Sequence, residues 1–241
     1  HYSQIMENDG TGHYTDITAG TGFNIDDITP IESVFEDFDN DGYVDILVSG
    51  SSSRYFHNNG NHTFTKINDL FDANNLESFA IGDLNHDGFI DVYASYATIY
   101  TNPSSVNDVI WMNTRNANHF VTLQLIGTVS NKCAIGARAT LYNSLGTQIR
   151  EVRAGESYGT ANTEMLHFGL GSTTAIDSIV VRFPSGITQT IINPSADQFI
   201  RVIENDCVSP TVNVSYSNAA PVICTGTTQT FTATSGLNYL W

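Results

Sequence analysis

Two acidic stretches hold the residues best suited to chemistry. Residues 37–45 read DFDNDGYVD and residues 83–91 read DLNHDGFID. In the first, Asp37, Asp39 and Asp41 alternate, Gly42 permits a tight turn, and Asp45 returns four residues after Asp41. Alternate residues on a curved loop aim their oxygens at one point. A hard cation that takes six to eight oxygens at about 2.3–2.6 Å suits such a donor set, and calcium is the expected ion. The Tyr43 carbonyl would add a ligand. The second stretch offers Asp83, Asn85, Asp87, the Phe89 carbonyl and Asp91. It has three carboxylates where the first has four, so two Ca²⁺ sites of unequal strength are expected, the second weaker. An EF-hand is excluded. Its twelfth position would be Val48 or Ala94 rather than Glu, and the flanks read as strands. The competing reading is a pair of Asp/Gly turns in which each Asp caps its own backbone. Two copies at a fixed spacing favour the metal.

The charge distribution agrees. The 241 residues carry 25 acidic and 9 basic side chains, a net charge of −16. Residues 1–110 hold 14 Asp and 4 Glu against one Arg and one Lys, while residues 111–241 hold seven acids and seven Arg or Lys. All of the excess therefore lies in the first half, and a boundary is expected near 109–115. Clustered carboxylates call for a counter-cation. Nucleic acid and anionic membranes are excluded as partners, since both need a basic footprint. No run of about 18 apolar residues exists to cross a bilayer.

The elements that position these loops repeat along the chain. Glu7-Asn8-Asp9-Gly10 with Tyr14-Thr15-Asp16-Ile17 recurs as His57-Asn58-Asn59-Gly60 with Phe64-Thr65-Lys66-Ile67, 50 residues later. The acidic stretches are 46 residues apart, and Ile110-Trp111-Met112-Asn113 echoes Tyr55-Phe56-His57-Asn58 at 55. Runs at 32–38, 43–48, 79–84 and 89–94 are rich in Val, Ile, Phe and Tyr and read as strands. A period near 50 without amphipathic helices points to β-propeller blades.

These residues resemble FG-GAP/VCBS repeats, the calcium-binding blades of integrin-like propellers, over about residues 1–113. Such propellers commonly have about seven blades. The resemblance implies about two here, with residues 1–22 as the outer end of a preceding blade. From residue 119 the pattern becomes that of a small antiparallel β-domain. Val121, Leu123 and Leu125 share one side of a strand, and a hairpin turn is expected at 143–146. Further strands are expected at 178–183, 188–192 and 199–203. This part resembles the ASPIC/UnbV domain through Asn131, Ala134-Ile135-Gly136-Ala137, Gln148, Arg150-Glu151-Val152, Gly155, Tyr158, Phe168-Gly169-Leu170-Gly171 and Phe183-Pro184-Ser185-Gly186. The family usually has Trp where Phe183 stands, and a polar residue where Cys133 stands. No catalytic residue is implied. Residues 206–241, with Cys224-Thr225-Gly226 and Asn238-Tyr239-Leu240-Trp241, resemble the opening strands of an Ig-like or PKD-like repeat.

The expected architecture is thus all-β. Partial propeller blades span 1–113, a small antiparallel β-domain spans 114–205, and an incomplete Ig-like segment spans 206–241. Gly155-Glu156-Ser157-Tyr158-Gly159 spells a G-x-S-x-G, but His167 precedes Asp177 and Asp197 and no helix follows, so Ser157 is expected to be structural. The seven histidines are scattered and read as loop or structural residues. Cys133 is expected half-buried, and Cys207 and Cys224 are open to pairing. Function is expected to be non-catalytic: adhesion, or binding of an extracellular glycan or protein by a secreted or cell-surface bacterial protein. The rivals are the scaffold of a secreted polysaccharide-active enzyme and a structural spacer. Tyr93, Tyr96 and Tyr100 are the aromatic candidates for glycan contact, and strand core is the equal alternative for each.

Overall fold

β-branched and aromatic runs between Asn, Asp and Gly turns all become strands in the computed structural model, which describes residues 3–68, 70–71, 75–97, 105–156 and 158–205. The described residues contain no helix. The expectations for Tyr100, Ser157, Cys207, Cys224 and the Ig-like segment at 206–241 lie outside them.

The first strands, β1 (Met6–Asn8) and β2 (Tyr14–Asp16), form a hairpin. Then β3 (Pro30–Glu36), β4 (Asp45–Gly50), β5 (Arg54–Asn58) and β6 (Phe64–Asn68) make a four-stranded antiparallel meander. Three strands follow in the same manner: β7 (Leu76–Gly82), β8 (Asp91–Tyr96) and β9 (Val109–Trp111). The repeat is exact at the level of pairing. Glu36 faces Asp45 across the first acidic loop, and Gly82 faces Asp91 across the second. β1 and β2 stand 50 residues before β5 and β6, as the outer pair of a preceding unit would. A single bridge, Gly50 to Leu76, joins the two meanders into one sheet.

Both faces of β4 are buried because it lies between two cores. Leu47 packs with Val34, Phe79, Val92 and Tyr96 toward the second meander, and Ile46 and Val48 pack with Phe56 and Ile25 toward the first hairpin. Burying each such side chain contributes about 1.5–3 kcal/mol. Tyr96 is core rather than a surface aromatic, only 3% exposed, whereas Tyr93 is exposed and donates its hydroxyl proton to Asp108.

The C-terminal strands are β10 (His119–Ile126), β11 (Arg138–Asn143), β12 (Gly146–Glu151), β13 (Leu166–Gly171), β14 (Ser178–Arg182), β15 (Thr188–Ile192) and β16 (Gln198–Ile203). They build a sheet in the order β13-β10-β16 and another in the order β12-β11-β14-β15. Val121, Leu123, Leu141, Phe168, Ile179 and Val181 fill the core between them. The hairpin at 143–146 is present, with Asn143 paired to Gly146.

Two expectations are corrected. The C-terminal strands are not all antiparallel, since β10 pairs β16 in parallel over six residues. On the face of β10 opposite Val121, Phe120 and Thr122 are 5% and 2% exposed. Cys133 is exposed rather than half-buried. It sits in a turn where Ala134 and Gly136 adopt positive φ. That turn directs Ala134 into the core and leaves Cys133 outside.

Candidate metal centre

The two acidic loops connect β3 to β4 and β7 to β8, and they fold alike. In the first, Asp37 accepts the N–H groups of Asp41 (3.2 Å) and Gly42 (2.8 Å), and Asp41 accepts that of Tyr43 (2.8 Å). In the second, Asp83 accepts those of Asp87 (3.1 Å) and Gly88 (2.7 Å), and Asp87 accepts that of Phe89 (3.0 Å). Asp45 accepts from the N–H of Phe38 and of Asn58, and Asp91 from those of Leu84 and Asn113. These are the self-capping bonds of Asp-rich turns. They fix the loops and leave lone pairs on most of the carboxylates.

The surroundings differ. One oxygen from each of Asp37, Asp39 and Asp45 lies within 4.8 Å of the others, as do ligand atoms of Asp39, Asp41 and His57. Atoms gathered that closely can share one cation at about 2.4 Å. The trio Asp37, Asp39 and Asp45 offers only hard oxygen donors, the kind that calcium takes, while Asp41 shares the second trio with Asp39 and His57. Asp37 and Asp45 are fully buried. Burial holds the Asp37 carboxyl well above the usual range, with the Asp41 charge adding to it, and burial pushes Asp45 up to about 6. The Arg150 charge pulls Asp37 the other way and is outweighed, so these buried, crowded carboxylates are only partly compensated. In the second loop Asp83 and Asp87 are half-buried and Asn85 is exposed. Among the described residues, Asp83, Asp87 and Asp91 form no such trio. The Asn85 side chain donates to Asp87 at 3.1 Å instead. The backbones of Tyr43 and Phe89 occupy matching places after the loop glycines.

Sequence reading missed four participants. His57 lies at the first loop's mouth, its Nδ1 3.4 Å from both Asp39 and Asp45. Its equivalents at the repeat offsets are Glu7 and Met112, so the alignment of repeats carried a signal. Asn40, His167 and Arg150 belong to the contact between the loops and the C-terminal sheets. Asn40 is fully buried with φ 60°. Its Oδ1 lies 2.6 Å from His167 Nε2, and its Nδ2 donates to the Gly88 carbonyl at 2.8 Å. Arg150 sits 3.9 Å from Glu36 and over the Phe168 ring. The Asp39 carbonyl accepts from the side chains of Asn116 (2.6 Å) and Asn118 (2.9 Å). In the second loop, His86 contacts the Phe199 ring edge-on at 5.5 Å. Residues 158–163 run along β7, where Thr163 N–H donates to Ile81 O and Tyr158 N–H to Glu32.

These features define an all-β repeat protein whose acidic turns are covered by a second set of β-sheets. In family terms, residues 37–94 match the FG-GAP-like repeat and residues 127–209 match ASPIC and UnbV, in that order along the chain. Residues 210–241 fall outside both matches. No curated protein matches the chain. FG-GAP-like repeats are typical of extracellular proteins. No helix among the described residues is long and apolar enough to cross a membrane.

Proposed function

We propose that this chain is a non-catalytic, calcium-binding part of a secreted or cell-surface protein, and that it serves adhesion or the binding of an extracellular glycan or protein. The observation that carries the reading is the gathering of Asp37, Asp39 and Asp45 within sharing distance of one cation, two of them fully buried. Asp41 completes the oxygen set, and bound calcium would supply the missing positive charge. The second loop repeats the backbone with fewer carboxylates and takes a second, weaker ion through Asp83, Asn85, Asp87 and Asp91. The Tyr43 and Phe89 carbonyls are the remaining protein ligands. The strands continue the blades of a propeller, whose loops on a rigid scaffold form the recognition surface. Tyr93 is the exposed aromatic retained for that role.

Calorimetric titration of the chelated protein tests the reading. Two sites are expected, with Asp41→Ala removing the tighter and Asp87→Ala the weaker. A protein that takes up no calcium, or keeps both sites in both variants, would overturn it.

A further inference from the structure

Each acidic loop has one open side and one packed side: Tyr43, Asn85 and His86 are exposed, whereas Asn40 and Gly88 are buried. Their backs form the seat on which the C-terminal sheets rest, and the first loop is held there residue by residue. Asp39 offers its carbonyl to Asn116 and Asn118, and Asn40 offers its carbonyl to the Gly171 N–H at 2.7 Å. A Cβ on Gly169 would stand 2.1 Å from Asp37 Oδ2 and 2.6 Å from the Asn40 backbone, so nothing larger than glycine fits against the loop.

Asn40 is the centre of this seat. It lies between Asp39 and Asp41, yet its left-handed backbone turns its side chain away from their carboxylates. Because Nδ2 donates to Gly88, Oδ1 must accept from His167. His167 therefore carries its proton on Nε2, and its Nδ1 accepts from the Thr122 hydroxyl at 2.9 Å. Burial first, and the Arg150 charge second, hold His167 down to about 3. The ring stays neutral and the bond keeps one polarity across ordinary pH.

We propose that cation binding in the first loop and docking of the C-terminal sheets are one coupled equilibrium, transmitted through Asn40 and His167. This rests on the calcium reading above. Docking holds the backbone from Asp39 to Asn40 in the shape that aims Asp37, Asp39 and Asp41 inward. A cation removes the repulsion between those carboxylates, which otherwise loosens the same backbone. Each event therefore favours the other, and linkage makes the factor equal in both directions. The second loop touches the C-terminal sheets through the rings of Phe199 and Phe120 rather than through backbone carbonyls. Its coupling is weaker.

The test uses the full chain. In calcium titrations, His167→Leu should weaken the tighter site about five- to thirty-fold and leave the weaker site within about two-fold. His167→Gln, which keeps a donor toward Asn40, should retain most of the affinity. Asn118→Ala removes one exterior bond to Asp39 and should weaken the tighter site about two- to five-fold, even if His167→Leu does not fold. Hydrogen exchange at the Gly171 amide supplies a readout independent of affinity, and chelation should speed it at least ten-fold. Unchanged tight-site affinity in the folded variants, or Gly171 protection that ignores calcium, would overturn the coupling while leaving the calcium reading intact. A wild-type chain that binds no calcium would end both.

Discussion

In the loop at 37–45 the first aspartate is fully buried, and the residue at the fourth position is locked between β13 and the second loop. In the loop at 83–91 the corresponding Asp83 is half-buried, and His86 is exposed against one ring. The backbones make the same internal hydrogen bonds. The motif therefore fixes the turn, and what is packed behind the turn decides how much charge it concentrates. The same nine-residue pattern gives a crowded, partly dry set of carboxylates in one place and an open, looser set in the other.

The sharpest way to break this comparison is to spoil the packing behind one loop. Gly169→Ala places a methyl group into Asp37 and Asn40, and should cost about 3 kcal/mol, or roughly 6–12 °C in Tm. It should also abolish the tighter calcium site. Gly82→Ala, at the entry to the second loop, meets only the Thr163 side chain at 3.3 Å and should cost under about 1 kcal/mol. Equal losses in thermal unfolding of the two variants would erase the distinction between the loops.

The pH dependence gives the next largest effect. Asp37, Asp41 and Asp45 are all raised, first of all by burial, so the folded chelated protein holds protons that the unfolded chain has released. The Asp45 contribution is present below about pH 4 and lost as pH rises through about 6, and those of Asp37 and Asp41 have the same sign. In chelator, stability should therefore fall by on the order of 2 kcal/mol between pH 4 and 7. Saturating calcium should reverse the slope, because the ion binds the deprotonated carboxylates. Glu204 in the C-terminal sheets has the opposite sign. Burial would raise it, but the hydroxyls of Ser185 and Ser130 and the N–H groups of Ser130 and Thr128 draw it down to about 2. Its contribution is present above about 4.5 and fades as pH falls toward 2. Unfolding scans from pH 2 to 8, with and without calcium, separate the two regions.

The smallest effect sharpens the comparison at one atom. The Tyr55 hydroxyl donates to Asp45 Oδ2 at 2.7 Å, and the equivalent residue in the next repeat is Ile110. Tyr55→Phe should cost about 1 kcal/mol and weaken only the tighter site. A variant indistinguishable from wild type in both readouts would show that this bond adds nothing to the first loop.

The loops, the repeat and the strand runs were legible because local patterns carry them. Asp spacing, Asn-Gly turns and alternating apolar residues need no distant partner. Boundaries slipped by two residues at β4 and β8, since the turn runs through Val44 and Ile90 before pairing begins at Asp45 and Asp91. The seat behind the loops was not legible. Asn40 and His167 are 127 residues apart, and nothing near His167 marks it as the partner of a loop asparagine. The burial of Phe120 and Thr122 and the parallel pairing of β10 with β16 depend on the same long-range packing.

That parallel pairing has a mechanical consequence. β10 and β16 are the first and last strands of the C-terminal sheets, and they lie side by side pointing the same way. Tension that enters ahead of His119 and leaves beyond Ile203 pulls the two strands lengthwise past each other. All the rungs from Val121–Gln198 to Ile126–Ile203 then bear the load at once, in shear, instead of opening one after another like a zipper. The sheets thus resist stretching along the chain far better than peeling across it.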